Sequence, residues 1–373
     1  MNTTLVSSLT SGASFLAGLY ALRLFPDRRM GVPRVLLAAL AVVACAGGVA
    51  AYLVFRRGSF FLGVDIVYCA IAIPVPLLAL VFLFLARARG ATRLARLCAF
   101  AALGLAPVCA YATFVEPYLL AVERTRVPIA PHNGLTRPIT IAVLSDMQML
   151  EVTDHEREAV RLAMQAHPDL ILIPGDMTQV GREHLEEIRG PFQELVAALA
   201  APLGVFAVHG DCEGASDARR LLEGTRIRLL VDECVHLESG GASLWLCGLE
   251  NGFGQPRSLS ALAELDAHAD SGELRLALAH RPDVVYTLAP HSRVDLLVCG
   301  HTHGGQVQLP FFGPPFVLSQ VPRSVGAGGL HEIGGHKLYV SRGIGWEHGH
   351  APRVRFNCRP EVSLLTLVPE GQP

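Results

Sequence analysis

Five apolar runs in the second half of the chain each end on a side chain able to hold a metal ion. They are Ile141-Ala-Val-Leu-Ser-Asp146, Leu170-Ile-Leu-Ile-Pro-Gly-Asp176, Val205-Phe-Ala-Val-His-Gly-Asp211, Leu274-Arg-Leu-Ala-Leu-Ala-His280 and Leu296-Leu-Val-Cys-Gly-His301-Thr-His303. Runs this short, rich in Val, Ile and Leu and closed by Gly, Pro or a polar residue, read as buried strands. In open α/β sheets, functional groups collect just beyond the carboxyl ends of the strands. Three carboxylates and three imidazoles are therefore expected to meet on one edge of one sheet. Taken singly, an Asp after a strand is most often a turn former or helix cap, and for Asp211 alone that is the stronger reading. It does not explain the recurrence, nor Gly175 beside Asp176 and Gly300 beside His301. Glycine there lets the backbone come close to a bound ion. Together the six positions read as a metal centre.

The motifs Asp146-Met-Gln148, Gly175-Asp176, Gly210-Asp211-Cys212-Glu213, His280 and Gly300-His301-Thr-His303 follow one another in an order that resembles the calcineurin-like metallophosphoesterases. Gly300 to Gln306, Tyr339 to Gly345 and Pro360 to Leu367 are similar to the branch whose catalytic domain follows membrane helices. The resemblance covers roughly residues 137–369 and implies an α/β fold, a four-layer α-β-β-α sandwich of two mixed sheets. It implies two divalent ions, one among Asp146, Gln148, Asp176 and His303, the other among Asp176, Asp211, His280 and His301. Asp176 then bridges, with the ions about 3.5–4 Å apart. The reaction implied is in-line attack on phosphorus by a hydroxide shared between them, without a covalent phospho-enzyme.

Three positions depart from the family pattern. Gln148 stands in place of a ligand His, Asp211 in place of Asn, and Cys212 in place of the His that assists the leaving group. The oxygen-rich set suits Mn or Fe above Mg and Zn. A third carboxylate brings a hydroxide-bridged pair of divalent ions to neutrality, where two would leave a net positive charge. General acid–base help is typically worth about 10²–10⁴-fold, so losing the His favours acidic leaving groups such as diphosphates or aryl esters. His209 is the substitute within reach of Cys212, against the blander reading of a half-buried strand His with a satisfied ring. Glu213 reads either as an orienter of the site or as a cap for a helix beginning near Ala215.

The first third is a different material. The chain is 51% hydrophobic and only 17% charged, with the apolar residues concentrated before Glu123. Val35–Phe55, Ser59–Ala86 and Leu97–Val122 are each long enough to cross a bilayer as a helix, which takes about 20 residues, and Leu5–Phe25 is a fourth, weaker run. Arg23, Arg28, Arg29 and Arg34 precede the first clear run, and Arg87, Arg89, Arg93 and Arg96 precede the third. Positive loops stay inside, which puts the globular part outside the cytoplasm. The expected division is membrane helices over 1–122, a linker over 123–138 and the metallophosphoesterase domain over 139–369. Asp65 and Glu116 fall inside apolar runs near their outer ends, where a carboxylate reaches the headgroup zone. Pro74 and Pro76 mark a kink.

Ten Arg against Asp27, Asp65 and Glu116 make the first 122 residues +7, which leaves −9 for the rest of a chain of net −2. An acidic globular part excludes nucleic acid as a partner. The partners expected are the lipid bilayer and a phosphate-bearing small-molecule or lipid-linked substrate. Gly240-Gly241 reads as a two-residue hairpin turn that sets Cys234 opposite Cys247, with two packed thiols favoured over a disulfide. The stretch from Leu309 carries Phe311, Phe312 and Phe316, which either dock an acyl chain or membrane surface or anchor a loop to the core. The function expected is a membrane-anchored, metal-dependent phosphoesterase. The alternatives are a membrane sensor that keeps the fold without catalysis, and a lipid-nucleotide diphosphate hydrolase.

Overall fold

A helix apolar on every side has no polar face to turn to water, and the N-terminal runs form helices of that kind. The computed structural model describes residues 3–23, 32–57, 60–130, 135, 137–251, 254–268 and 272–370. The chain divides into two units, Met1–Val115 with Glu347–Arg353, and Glu116–Trp346 with Val354–Pro373.

The first unit holds α1 (Thr3–Arg23), α2 (Val32–Arg57), α3 (Phe60–Ala72), α4 (Pro74–Arg89), α5 (Arg93–Leu103) and α6 (Leu105–Phe114). Val35–Val54, Phe60–Arg89 and Arg93–Tyr118 are long and apolar enough to cross a membrane, and Val6–Leu22 is a shorter apolar helix. The helix ladder continues past the prolines, with the Leu77 amide donating to Ile73 O at 3.2 Å, a kink more than a break. Asp65 accepts the Ser7 hydroxyl. Arg28, Arg29, Asp27, Ser59 and positions 131–134 and 136 of the expected linker lie outside the described residues.

Two sequence expectations are corrected here. The linker over 123–138 is in part a strand, β1 (Ala121–Ile129), which pairs in parallel with residues 361–369. Val127 and Ile129 are buried while Arg124 and Arg126 are exposed, an alternation that an edge strand tolerates along with Pro128. Glu116 is no headgroup carboxylate: it sits in the second unit, 2% exposed, and accepts the Cys358 amide at 2.6 Å.

The second unit continues with β2 (Ile139–Val143), β3 (Leu170–Ile173), β4 (Val205–Ala207) and β5 (Ile227–Leu229). After these come β6 (Glu233–Ser239), β7 (Ala242–Gly248), β8 (Leu274–Leu278), β9 (Leu296–Cys299), β10 (Gly329–Ile333), β11 (His336–Val340) and β12 (Glu361–Pro369). They form two six-stranded sheets, β1-β12-β2-β3-β4-β5 and β10-β11-β9-β8-β7-β6, both of mixed direction. Strand alternation then builds the layers. Ile141, Val143, Leu170 and Leu172 face Leu244, Leu246, Leu276 and Val298 between the sheets. Ala142, Ile171 and Ile173 turn outward onto α7 (Asp154–Gln165) and α8 (Leu185–Val196) through Ala159, Val160, Ile188 and Phe192. A shorter helix, α9 (Ala215–Leu222), joins the same layer through Ala218 and Leu221. On the far side Cys247, Ala277 and Leu297 meet α10 (Pro256–Ala267) through Ala261, Leu262 and Leu265. This is the four-layer α-β-β-α arrangement. A last short helix, α11, spans Arg323–Gly326.

Gly240 and Gly241 both take positive φ, as a two-residue primed turn demands, and Cys234 pairs with Cys247. The sequence favours two packed thiols there; the structure joins them as a disulfide.

Candidate metal centre

All five apolar runs are strands, but their ligand-bearing ends belong to two sheets rather than one. Asp146, Asp176 and Asp211 follow β2, β3 and β4, while His280, His301 and His303 follow β8 and β9. The packed sheets bring the two sets of ends together. Asp146, Gln148, Asp176, His301 and His303 all have positive φ, between 43° and 72°. Non-glycine residues seldom adopt it. The strain, about 1–3 kcal/mol each, collects where side chains must double back beyond a strand end. Glycine makes the room: a Cβ on Gly300 would meet Asp146 Oδ2, and one on Gly210 would meet Asp176 Oδ1.

Short contacts link all seven candidate ligands. His280 Nε2 lies 3.4 Å from Asp176 Oδ2 and 3.7 Å from Asp211 Oδ2. His301 Nδ1 is 3.0 Å from Asp211 Oδ2, and His303 Nε2 is 3.9 Å from Asp146 Oδ1. Gln148 Nε2 donates to Asp176 Oδ2 at 3.2 Å, and a half-turn of the amide would aim its oxygen at the same place. Two sets, Asp211 with His280 and His301, and Asp146 with Asp176 and His280, have ligand atoms all within 4.8 Å of one another.

The residues fit metal ions. His280 Nε2 and His303 Nε2 are buried without a hydrogen-bond partner, yet both face carboxylate oxygens. Metal–ligand bonds of about 2.0–2.2 Å place neighbouring ligand atoms roughly 3 Å apart, close to the spacings here. The other ring nitrogens of His280 and His301 are tied to carbonyls, His280 Nδ1 to Pro174 O at 2.8 Å and His301 Nε2 to Leu318 O at 2.7 Å. Each such bond fixes the tautomer that leaves the ligating nitrogen its lone pair. Charge tells the same story. Burial pushes the Asp146 carboxyl up to about 6. Burial opposes a charged His280, yet the surrounding carboxylates of Asp176, Asp211 and Asp146 raise its pKa well above the ordinary value. Three clustered carboxylates thus favour positive charge at this place, which divalent cations would supply. His303 is kept neutral by burial and by the Arg355 charge.

The weaker candidates sort themselves. The amide of Cys212 donates to Asp176 Oδ1 at 2.8 Å and its Sγ lies 3.4 Å from Asp176 Oδ2, so it meets the cluster. His209 instead turns Nδ1 to Gly210 O at 3.2 Å, with Nε2 3.7 Å from Glu250. Glu213 orients the site: it accepts the amides of Met177, Thr178 and Gly210, while the helix from Ala215 has no side-chain cap. Burial and the neighbouring Asp176 push Glu213 up to about 8.

Two residues escaped sequence reading. Arg281 grips both oxygens of Asp211 through Nε at 3.1 Å and Nη2 at 2.8 Å, and Asn251 donates to the same carboxylate. A cation directly after the His280 motif was the available signal. Arg281 also revises the charge argument, because it restores one positive charge that the third carboxylate removes.

Residues 139–305 match the family model for the calcineurin-like phosphoesterase, a span holding all seven positions. The chain carries a calcineurin-like metallophosphoesterase domain. It is 28% identical to Phosphodiesterase YaeI of Escherichia coli (strain K12) over 267 residues, covering 69% of this chain and 92% of that protein. It is 26% identical to the uncharacterized metallophosphoesterase YkuE of Bacillus subtilis (strain 168), covering 69% and 88%. Among solved structures, TT1561 of Thermus thermophilus aligns with TM-score 0.38 and 15% identity over 56% of this chain and 91% of that one. The metallophosphoesterase domain makes the protein a hydrolase, and the family's centre is dinuclear.

Proposed function

We propose that the protein is a membrane-anchored phosphoesterase whose catalytic unit lies outside the cytoplasm. Its substrate is a phosphodiester or diphosphate with an acidic leaving group. The observation that carries this reading is the run of contacts from Asp211 through His280 and Asp176 to Gln148, with two buried imidazole nitrogens left for ions. When bound, two divalent ions, Mn or Fe above Mg and Zn, supply a hydroxide at neutral pH and neutralise the charge developing on phosphorus. The chain's own groups do the rest. Asp176 meets a ligand of each expected ion site, His280 and Gln148, Pro174 O and Leu318 O hold the His280 and His301 rings in register, and Arg281 beside Asp211 gives an incoming phosphate a positive neighbour. Cys212 offers a thiol where a leaving group would need a strong proton donor, which supports aryl and diphosphate groups over alkoxides.

The full chain purified in detergent is expected to hydrolyse an aryl phosphodiester with added Mn. Chelation should lower the rate by at least about 10²-fold, and Mn or Fe should restore it. A rate unchanged after metal analysis finds the protein stripped sinks the proposal. Placement outside the cytoplasm rests on the Arg-rich segments at 23–34 and 87–96. A reporter fused after Pro373 should be active only when it requires export; activity confined to a cytoplasm-dependent reporter reverses the orientation.

A further inference from the structure

Three exposed phenylalanines and two exposed leucines of the catalytic unit lie together on one short loop next to the candidate centre. Phe311 is fully exposed, and Phe312, Phe316, Leu309 and Leu318 are between 42% and 63% exposed. The sequence leaves open whether these aromatics anchor the loop to the core; their exposure rules that out. Leu309 and Gly313 close the loop through paired backbone bonds of 2.9 and 3.0 Å, so Phe311 and Phe312 are held at a turn. Phe311 takes a φ of 64°, a left-handed conformation costly for an aromatic residue. Exposure and strain together are what a water-facing surface avoids and a binding surface uses.

Two features say what the surface takes. The loop is tied to the centre, since Leu318 O accepts the His301 ring and Gly305, just after His303, packs against Pro314 and the Phe316 carbonyl. Arg323 stacks its guanidinium 4.2 Å from the Phe312 ring centroid, which sets a cation among the aromatics. Apolar rings with a cation, continuous with a phosphate-handling site, match a molecule with acyl chains joined to a phosphate. Among the described residues, the same chain carries three helices long and apolar enough to cross a bilayer, where such molecules reside.

We infer that the loop from Leu309 to Leu318 is the acyl-chain subsite of the phosphoesterase centre, and that the substrate is a lipid-borne phosphate ester. This rests on the proposed phosphoesterase reading. The test uses the full chain in nanodiscs with Mn and a series of p-nitrophenyl alkyl phosphodiesters running from methyl to octyl. The leaving group is constant, so only chain burial changes. For the unaltered protein kcat/KM should climb with chain length, by up to about fourfold per methylene where each is buried. In a Phe311→Ser/Phe312→Ser/Phe316→Ser variant, altered only at exposed positions, the slope should flatten, and the octyl-to-methyl ratio should fall by at least about tenfold. Equal slopes in the two proteins overturn the subsite while leaving the phosphoesterase standing. No hydrolysis at any length, methyl included, overturns both.

Discussion

Asp176→Asn is expected to lower turnover of an aryl phosphodiester by about 10²–10³-fold or more, on the scale of losing one well-placed electrostatic contact to the reacting group. The effect should exceed that of other single ligand changes because Asp176 is the carboxylate that meets a ligand of each expected ion site, His280 of one and Gln148 of the other. Its Oδ2 lies 3.4 Å from His280 Nε2 and 3.2 Å from Gln148 Nε2, and its Oδ1 accepts the Cys212 amide. Burial alone would raise its pKa; the His280 charge and the Cys212 amide hold it well below the usual carboxylate range. The carboxylate therefore stays ionised and available to cations. Asn keeps the shape and the acceptor for Cys212 but removes the charge, so folding should survive while metal content falls. Thermal unfolding, metal analysis and kcat on the same preparation read all three. A variant with native stability and near-native turnover would leave Asp176 no bridging role.

How much of this was open to sequence reading follows from how local each cause is. The five ligand-bearing strands were legible because a short Val/Ile/Leu run closed by Gly or Pro carries its own signal. The Cys234–Cys247 register was legible because Gly240-Gly241 fixes it within the hairpin. Two sheets could be named only through resemblance, because β12 returns between β1 and β2 and nothing local announces that. β1 was mistaken for a linker because Glu123, Arg124 and Arg126 interrupt its apolar pattern, and only pairing with β12 makes such an edge strand. Glu116 was misjudged for the same reason, its partner Cys358 lying 242 residues away. Arg281 was missed since an Arg after a motif looks like any surface cation until its carboxylate is found.

Arg355→Leu is expected to cost the catalytic unit about 3–5 kcal/mol, the range for stripping one partner from a buried, hydrogen-bonded charge network. For a unit of this size that is roughly a 10 °C fall in Tm. Arg355 is fully buried, a placement Arg almost never takes unless paired. Its Nη1 donates to Cys358 O at 3.1 Å, and its Nη2 to Arg342 O at 2.9 Å, to Gly343 O at 3.4 Å and to Gly345 O. Leu would fill much of the volume and satisfy none of those carbonyls. The consequence reaches the centre because that same strap carries Asp146. The Ile344 amide donates to Ser145 O at 2.9 Å and the Gly345 amide to Asp146 O at 2.8 Å. Arg355 is thus a positioning residue for Asp146. Its loss should weaken metal binding by about 10–100-fold, as loss of ligand-orienting contacts does, beyond any loss of folded protein. Arg355→Lys separates the two effects, since it keeps the charge but a single ammonium cannot span four carbonyls. The lysine variant should recover part of the stability and little of the metal affinity. If Arg355→Leu unfolds at the native temperature and titrates metal with native affinity, the strap does not hold Asp146 in place.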